Sequence, residues 1–174
     1  MKSGRDSHSA FRISHFALIT LPLYALDQIT KAVVLRHIAP DEYVPVIPGW
    51  FDLVQWHNTG AAFSMLKDNN VFFVGLASVA LIALAIFWRR GAFADRLTGV
   101  AAALLAAGIL GNLTDRLAHK FVVDFLLIDL HFWPANPWPA FNVADACICV
   151  AAGLFVIHSL LEKKDARKGA ETQS

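Results

Sequence analysis

Two aspartates lie in apolar segments that offer them no basic neighbour. Asp124 stands in "VVDFLLI", among large apolar residues, and Asp145 stands in "FNVADACICV", where a long apolar run begins. Unpaired carboxylates in apolar surroundings have raised pKa values, and two that lie close together share one proton. Such a pair can act as general base and general acid. The sequence therefore predicts a catalytic pair, with ion coupling or a structural role as the alternatives and with base and acid unassigned.

Other polar residues accompany this pair, within or beside apolar runs. Asp27 and Lys31 are four residues apart, so that they share one helical face and can form an ion pair. Asn142 precedes Asp145 by three residues and can orient its carboxylate or cap the helix. Residues of the same kind occur near the end of another apolar run: Asn112, Asp115 and Arg116. Asp115 with Arg116 would suit an anchor at the membrane interface, whereas Asp27, Lys31 and Asp115 are predicted to support the site.

The elements that must position these residues are helices in a membrane. Of the 174 residues 56% are hydrophobic and 17% charged, with a mean hydropathy of +0.50, which is too apolar for an ordinary soluble domain. Four apolar runs are long enough to cross a hydrocarbon core of roughly 30 Å. They cover about 14–35, 71–88, 98–115 and 141–161. We therefore predict an all-α membrane protein with four transmembrane helices, a membrane domain at 14–161, and a β-rich element in the first outer loop, where 49–58 has the composition of a strand.

The distribution of lysine and arginine predicts the topology, because these residues accumulate on the cytoplasmic side. Ten of the fifteen lie in the two terminal segments and in the short connection between the second and third runs. We therefore expect both termini to be cytoplasmic, with loops 36–70 and 116–140 outside and the polar residues gathered near the outer surface. The tail 1–13 is expected to be cytoplasmic, and the polar tail 162–174 cytoplasmic and disordered.

Other chemistries fit the sequence less well. Ser64 and Lys67 match a Ser-x-x-Lys nucleophile pattern, but matches of four residues are common by chance. The histidines lack the spacing of zinc ligands, and the net charge of +1 argues against nucleic acid as a partner. Cys147 and Cys149 are interpreted as small apolar residues rather than as a disulfide or metal site. No metal or cofactor is predicted.

Two other functions stay open from the residues alone. A proton- or ion-coupled carrier could use Asp27, Lys31 and Asp145 as a relay, but it would be expected to have polar groups near the middle of the membrane. A non-catalytic assembly factor would leave Asp124 and Asp145 free to lie far apart.

Five short motifs, taken in order, resemble those of a known family. They are "DQITK" (27–31), "NTGAAFS" (58–64), "GNLTDRL" (111–117), "VVDF" (122–125) and "FNVAD" (141–145). In this order and on a four-helix topology, they resemble the motifs of the bacterial lipoprotein signal peptidases, also called signal peptidase II. The resemblance extends over roughly residues 14 to 161.

The resemblance implies an aspartic endopeptidase of the bacterial cytoplasmic (inner) membrane. Its substrates would be prolipoproteins that carry a diacylglyceryl group, cleaved just before the lipidated cysteine. Asp124 and Asp145 would be the catalytic pair. The substrate-binding residues would be Asn58, Gly60, Asn112, Arg116 and Asn142. Membrane lipids and globomycin-type cyclic peptide inhibitors would be further partners.

Overall fold

The computed structural model describes residues 3–60, 68–131 and 138–171, which contain four helices and three strands. In chain order these are α1 (Ser3–His37), β1 (Tyr43–Ile47), β2 (Phe51–Asn58), α2 (Asn70–Arg89), α3 (Arg96–Ala118), β3 (Val122–Ile128) and α4 (Val143–Glu171). Each helix contains a segment long and apolar enough to cross a membrane: Phe16–His37, Asn70–Arg89, Arg96–Ala118 and Val143–Lys164. By length and composition, these segments confirm the prediction of four helices that can span a membrane.

Helix α3 is the centre of the bundle and packs against α1, α2 and α4. Half of its apolar window is buried, compared with 11 to 22% for the other three helices. The buried positions of α3 are mostly alanine and glycine, among them Ala102, Ala106 and Gly108. Small residues allow helix backbones to approach closely, which is how helices associate in a bilayer that offers little hydrophobic driving force.

The three strands form one antiparallel sheet in the order β1-β2-β3. Strand β2 pairs with β3 so that Trp56 faces Asp124 and Asn58 faces Val122. Val123 and Phe125 pack on Val34 near the end of α1. The sheet therefore joins the bundle at the end of α1 and brings β3 beside the helix ends.

The predicted strand at 49–58 is confirmed as β2, but the β structure extends beyond the first loop. Its third strand, β3, comes from the connection between α3 and α4, which was predicted only as an outer loop. The segment "VVDFLLI" lacks an alternation of polar and apolar residues because successive residues on both faces of β3 are buried. Such a continuous apolar run carries no strand period.

The helices also extend beyond their predicted boundaries. Helix α1 already begins at Ser3 and α4 continues to Glu171, so the predicted tails are helical at 3–13 and 162–171. Disorder was expected after 161, whereas the structure describes 162–171 as a continuation of α4. Hydropathy marks only the part of a helix that lies in lipid, whereas adding residues to an existing helix costs little and lysine, glutamate and alanine favour it. Helix α3 likewise reaches Ala118, so Arg116 belongs to a helix and not to a loop.

Candidate active site

The first turn of α4 holds Asp145 in a fixed position. The backbone N–H of Asp145 donates to Oδ1 of Asn142 at 2.9 Å, and the backbone N–H of Asn142 donates to Oδ2 of Asp145 at 3.2 Å. This reciprocal arrangement is a capping box, with Asn142 as the N-cap and Asp145 as the third helical residue. Asp145 thus lies at the positive end of the helix dipole, where a carboxylate is stabilised.

Strand β3 brings Asp124 to the same asparagine. The side chain of Asn142 donates from Nδ2 to Oδ1 of Asp124 at 2.8 Å. Asn58 lies diagonally across from Asp124 on β2 and donates from Nδ2 to its other oxygen, also at 2.8 Å. Asn142 therefore bonds to both aspartates, and both line one cavity of about 550 Å³. The structure brings together the two carboxylates that the sequence singled out.

The environment of Asp124 favours its protonated form. Burial is the largest cause and the negative charge of Asp145 the second, and together they raise the pKa of Asp124 to about 7. The hydrogen bonds from Asn58 and Asn142 and the charge of Lys31 act in the opposite direction without cancelling the effect. Two neighbouring carboxylates in a poorly solvated site share a proton for this reason. The pair is thus suited to hold one proton near neutral pH.

The other predicted binding residues surround the pair. Asn112 donates from Nδ2 to Oδ1 of Asp145 at 2.7 Å. Gly60 donates its backbone N–H to Oδ1 of Asn58 at 2.9 Å, and its carbonyl accepts from Nη2 of Arg116 at 2.7 Å. The guanidinium of Arg116 lies over the ring of Phe73, 4.2 Å from the centroid. Its Nη1 is buried without a hydrogen-bond partner among the described residues.

The three supporting residues form an ion cluster behind the pair. Nζ of Lys31 lies 2.9 Å from Oδ2 of Asp27 and 2.9 Å from Oδ2 of Asp115. The expected ion pair between Asp27 and Lys31 is present. Asp115 and Arg116 do not form the alternative that was considered for them, an anchor at the membrane interface. Both side chains are buried, and Asp115 pairs with Lys31.

Two kinds of residue in and around the site were missed by the sequence reasoning. Nε2 of Gln28 lies within 3.2 Å of oxygens of Asp27 and Asp115 and thus joins the ion cluster. Gln28 lies next to Asp27 in the motif "DQITK", and this position was the only indication in the sequence that it belongs to the site. The cavity wall also contains residues that no local pattern marked: Asp41, His57, Trp138, Ile148 and Cys149.

The alternatives to an aspartate site have these outcomes. Ser64 and Lys67 lie outside the described residues. Cys147 is buried as predicted and Cys149 is exposed, and both are free thiols. Within the described ranges, no group of three potential metal ligands comes together. The imidazole of His57 instead stacks on Phe121, with ring centroids 3.9 Å apart.

Four helices that can span a membrane, with a carboxylate pair at one end of the bundle, define a multi-pass membrane protein with a candidate hydrolytic site. Residues 19–161 match the family model described as signal peptidase (SPase) II. A protein of Syntrophotalea carbinolica named lipoprotein signal peptidase is 42% identical over 150 residues, which cover 84% of this chain and 90% of the relative. One of the same name from Neisseria meningitidis serogroup C is 40% identical over 166 residues, or 93% and 99% of the two chains.

The fold is also similar to that of a solved structure, described as a bacterial membrane enzyme studied by the in meso method. The TM-score is 0.82 at 30% sequence identity, and the match covers 88% of this chain and 92% of the other. The chain belongs to the signal peptidase II family.

Proposed function

We propose that this protein is an aspartic endopeptidase that removes the signal peptide from diacylglyceryl-modified prolipoproteins by cleaving before the lipidated cysteine. Family membership, with relatives named lipoprotein signal peptidase, supports the substrate class. One observation carries the aspartic chemistry: Asp124 and Asp145, from a strand and a helix, are both bound by Asn142 at the wall of one cavity.

The two carboxylates have different environments, which suggests their roles. We assign the proton of the pair to Asp124, whose pKa is raised to about 7 by burial and by the charge of Asp145, and the negative charge to Asp145, which lies at the positive end of the α4 dipole. Asp145 removes a proton from water as the oxygen attacks the scissile carbonyl carbon. Asp124 donates its proton to the carbonyl oxygen, which gives a neutral diol.

Breakdown of the diol reverses the two roles. Asp145 gives the proton it gained to the leaving nitrogen of the lipidated cysteine, and the C–N bond breaks. Asp124 takes a proton from one diol hydroxyl as the carbonyl forms again. Both carboxyls return to their starting states, so that one water is consumed for each peptide bond.

The binding residues divide into two groups by their contacts. The amides of Asn58, Asn112 and Asn142 already bond the carboxylates, so their first role is to orient the pair. Arg116 lines the cavity, and its Nη1 has no hydrogen-bond partner within the part of the chain that the structure describes. We assign to it the binding of a substrate oxygen, from the peptide backbone or the lipid headgroup, because a guanidinium is suited to forked contacts. The backbone of Gly60 contacts one residue of each group: its N–H donates to Asn58, and its carbonyl accepts from Arg116.

The site is proposed to lie near the outer face of the inner membrane, with both termini in the cytoplasm. The excess of lysine and arginine in the terminal segments and in the connection between α2 and α3 supports this orientation. A lipidated signal peptide anchored in the bilayer would present its cleavage point at that level. Membrane lipids would surround the bundle, and a globomycin-type inhibitor would compete for the cavity.

The alternative of a proton- or ion-coupled carrier is not supported. The chain belongs to a peptidase family, and the polar groups that such a relay would use gather at one end of the bundle instead of the middle. An assembly factor without catalytic activity would not require two carboxylates bound to one asparagine.

The test is cleavage of a synthetic diacylglyceryl lipobox peptide by the purified protein, with the products identified by mass. Asp124→Asn and Asp145→Asn are each expected to lower kcat by about 10²- to 10⁴-fold, the usual contribution of a general acid or base. His158→Gln is the matched control and should cleave normally, because His158 lies beside Asp95 at the end of α3 remote from the site, 3.4 Å from Nε2 to Oδ2. Wild-type rates in either asparagine variant would refute the assignment of the pair, and globomycin is expected to inhibit the wild type.

A further inference from the structure

A buried cluster of one cation and two carboxylates lies directly behind the candidate active site. Lys31 contacts Asp27 on its own helix and Asp115 on α3, both at 2.9 Å, and its third contact is Oδ1 of Asn112 at 3.1 Å. We call Lys31, Asp27 and Asp115 the Lys31 cluster. All three side chains are almost fully buried, and none of them lines the cavity. The cluster therefore has no direct contact with a substrate in that cavity.

Each carboxylate of the Lys31 cluster holds the backbone immediately before one of the two aspartates of the site. Oδ1 of Asp27 accepts the N–H of Ala144 at 2.8 Å, one residue before Asp145. Oδ2 of Asp115 accepts the N–H of Val123 at 3.1 Å, one residue before Asp124. The cation between these two carboxylates thus connects the start of α4 to the start of β3.

The third contact of Lys31 determines how the amide of Asn112 is turned. An ammonium group can only donate hydrogen bonds, so Asn112 must present its oxygen to Lys31. Its NH₂ group is thereby directed away and donates to Oδ1 of Asp145 at 2.7 Å. In the reversed orientation an amide oxygen would face a carboxylate oxygen, which is repulsive.

Stability alone does not account for this arrangement. Replacing a buried ion cluster by well-packed apolar residues is often neutral or stabilising, since desolvation of the charges offsets their attraction. Here every charged group also bonds to an atom that locates one of the two aspartates.

We propose that Lys31 is a positioning residue that fixes the separation and orientation of Asp124 and Asp145 through Asp27, Asp115 and Asn112. The proposal rests on the function proposed above. It assigns Lys31 a role in kcat without any contact to the substrate.

The test compares Lys31→Met with the wild type in the lipobox peptide assay. We expect kcat to fall about 100-fold, because a misplacement of about 1 Å can cost that factor, with KM changed less than about 2-fold. Tyr24→Phe is the matched control, since it removes the 3.2 Å hydrogen bond to Thr114 in the same α1–α3 interface. It should retain the wild-type kcat, and all variants are compared by thermal unfolding.

A second variant covers the case in which Lys31→Met does not fold. In Lys31→Met/Asp27→Asn only the charge of Asp115 remains in the cluster, whereas Lys31→Met alone leaves two unpaired carboxylates. The amide oxygen of the new asparagine can still accept the N–H of Ala144. The double variant should fold with the same loss of kcat. A folded variant with the wild-type kcat, or with a change confined to KM, would overturn the inference. Failure of the double variant to fold as well would assign Lys31 a purely structural role and overturn it too. If the wild type does not cleave the peptide, it is the proposed function that fails.

Discussion

The side chain of Asn142 bonds to two elements at once. Its Oδ1 accepts the N–H of Asp145 in α4, while its Nδ2 donates to Oδ1 of Asp124 and, at 3.3 Å, to the carbonyl of Val123 in β3. An amide can do this because it carries both a donor and an acceptor, whereas a hydroxyl is too short and a carboxylate cannot donate. At the residue scale, helix capping and orientation of the carboxylate pair therefore depend on the same group.

The raised pKa of Asp124 leads to a prediction about activity and pH. If Asp124 supplies the proton to the scissile carbonyl, kcat/KM should fall tenfold per pH unit well above about 7, where Asp124 becomes ionised. The decline follows from loss of the acid, so it is on the alkaline side. The measurement is kcat/KM for the lipobox peptide between pH 5 and 9.

His57 provides the control for this profile because its imidazole also lines the cavity. The His57→Gln variant should keep the alkaline decline at the same pH. Disappearance of the decline in that variant would assign it to the histidine and remove the support for Asp124 as the acid.

At the scale of elements, α3 and α4 must approach closely for the site to form. A Cβ added at Gly111 would lie 2.5 Å from Oδ2 of Asp27 and 2.9 Å from Cβ of Ala144. One added at Gly108 would lie 2.4 Å from the carbonyl oxygen of Ala144. These two glycines leave the space in which Asp27 reaches the first turn of α4.

Gly111→Ala tests this close approach. The new methyl group has to displace Asp27 or α4, and overpacking of this kind typically costs about 1–3 kcal/mol. We expect a lower unfolding temperature together with a loss of cleavage activity, because Asp27 holds the backbone before Asp145.

The matched control is Gly153→Ala on the same helix pair. A Cβ at Gly153 meets nothing within 4 Å, so it should leave activity unchanged and favour the helix by up to about 1 kcal/mol. Equal behaviour of the two variants would show that the α3–α4 contact at Gly111 tolerates a side chain.

The sequence was sufficient for the features that depend on local composition. Mean hydropathy marks the four helices because a helix in lipid is apolar over about 20 residues. Asp124 and Asp145 were identifiable because a carboxylate without a basic neighbour is conspicuous in an apolar run. The pairing of Asp27 with Lys31 follows from helical spacing.

Features that depend on contacts between distant segments were not predictable in this way. Nothing local to Lys31 indicates Asn112, which lies 81 positions further along the chain. Strand β3 has no periodic pattern because successive residues on both of its faces are buried. Asp115 likewise belongs to the Lys31 cluster, and not to the surface, only because α1 packs on α3 and brings Lys31 to it.

At the scale of the whole molecule, the site occupies one end of the bundle, so that function depends on which side of the membrane this end faces. Asp27, Asn112 and Asp145 come from three helices and meet at the level of the sheet. If α1 and α3 run outward, this level is the outer surface, where a lipidated signal peptide would have to be cut. Orientation in the bilayer is thus as necessary to the proposed function as the carboxylate pair.

Fusions to alkaline phosphatase test this orientation, because the enzyme forms its disulfides and becomes active only outside the cytoplasm. A fusion after Asp41 should be active, whereas fusions after Ala92 and after Ser174 should be inactive, since Arg89, Arg90 and the basic C-terminal segment favour the cytoplasmic side. A fluorescent protein at the same points should give the opposite pattern and controls for expression. The reversed result would put the cavity at the cytoplasmic face, out of reach of a prolipoprotein already translocated, and would contradict the proposed function even if both aspartates were essential.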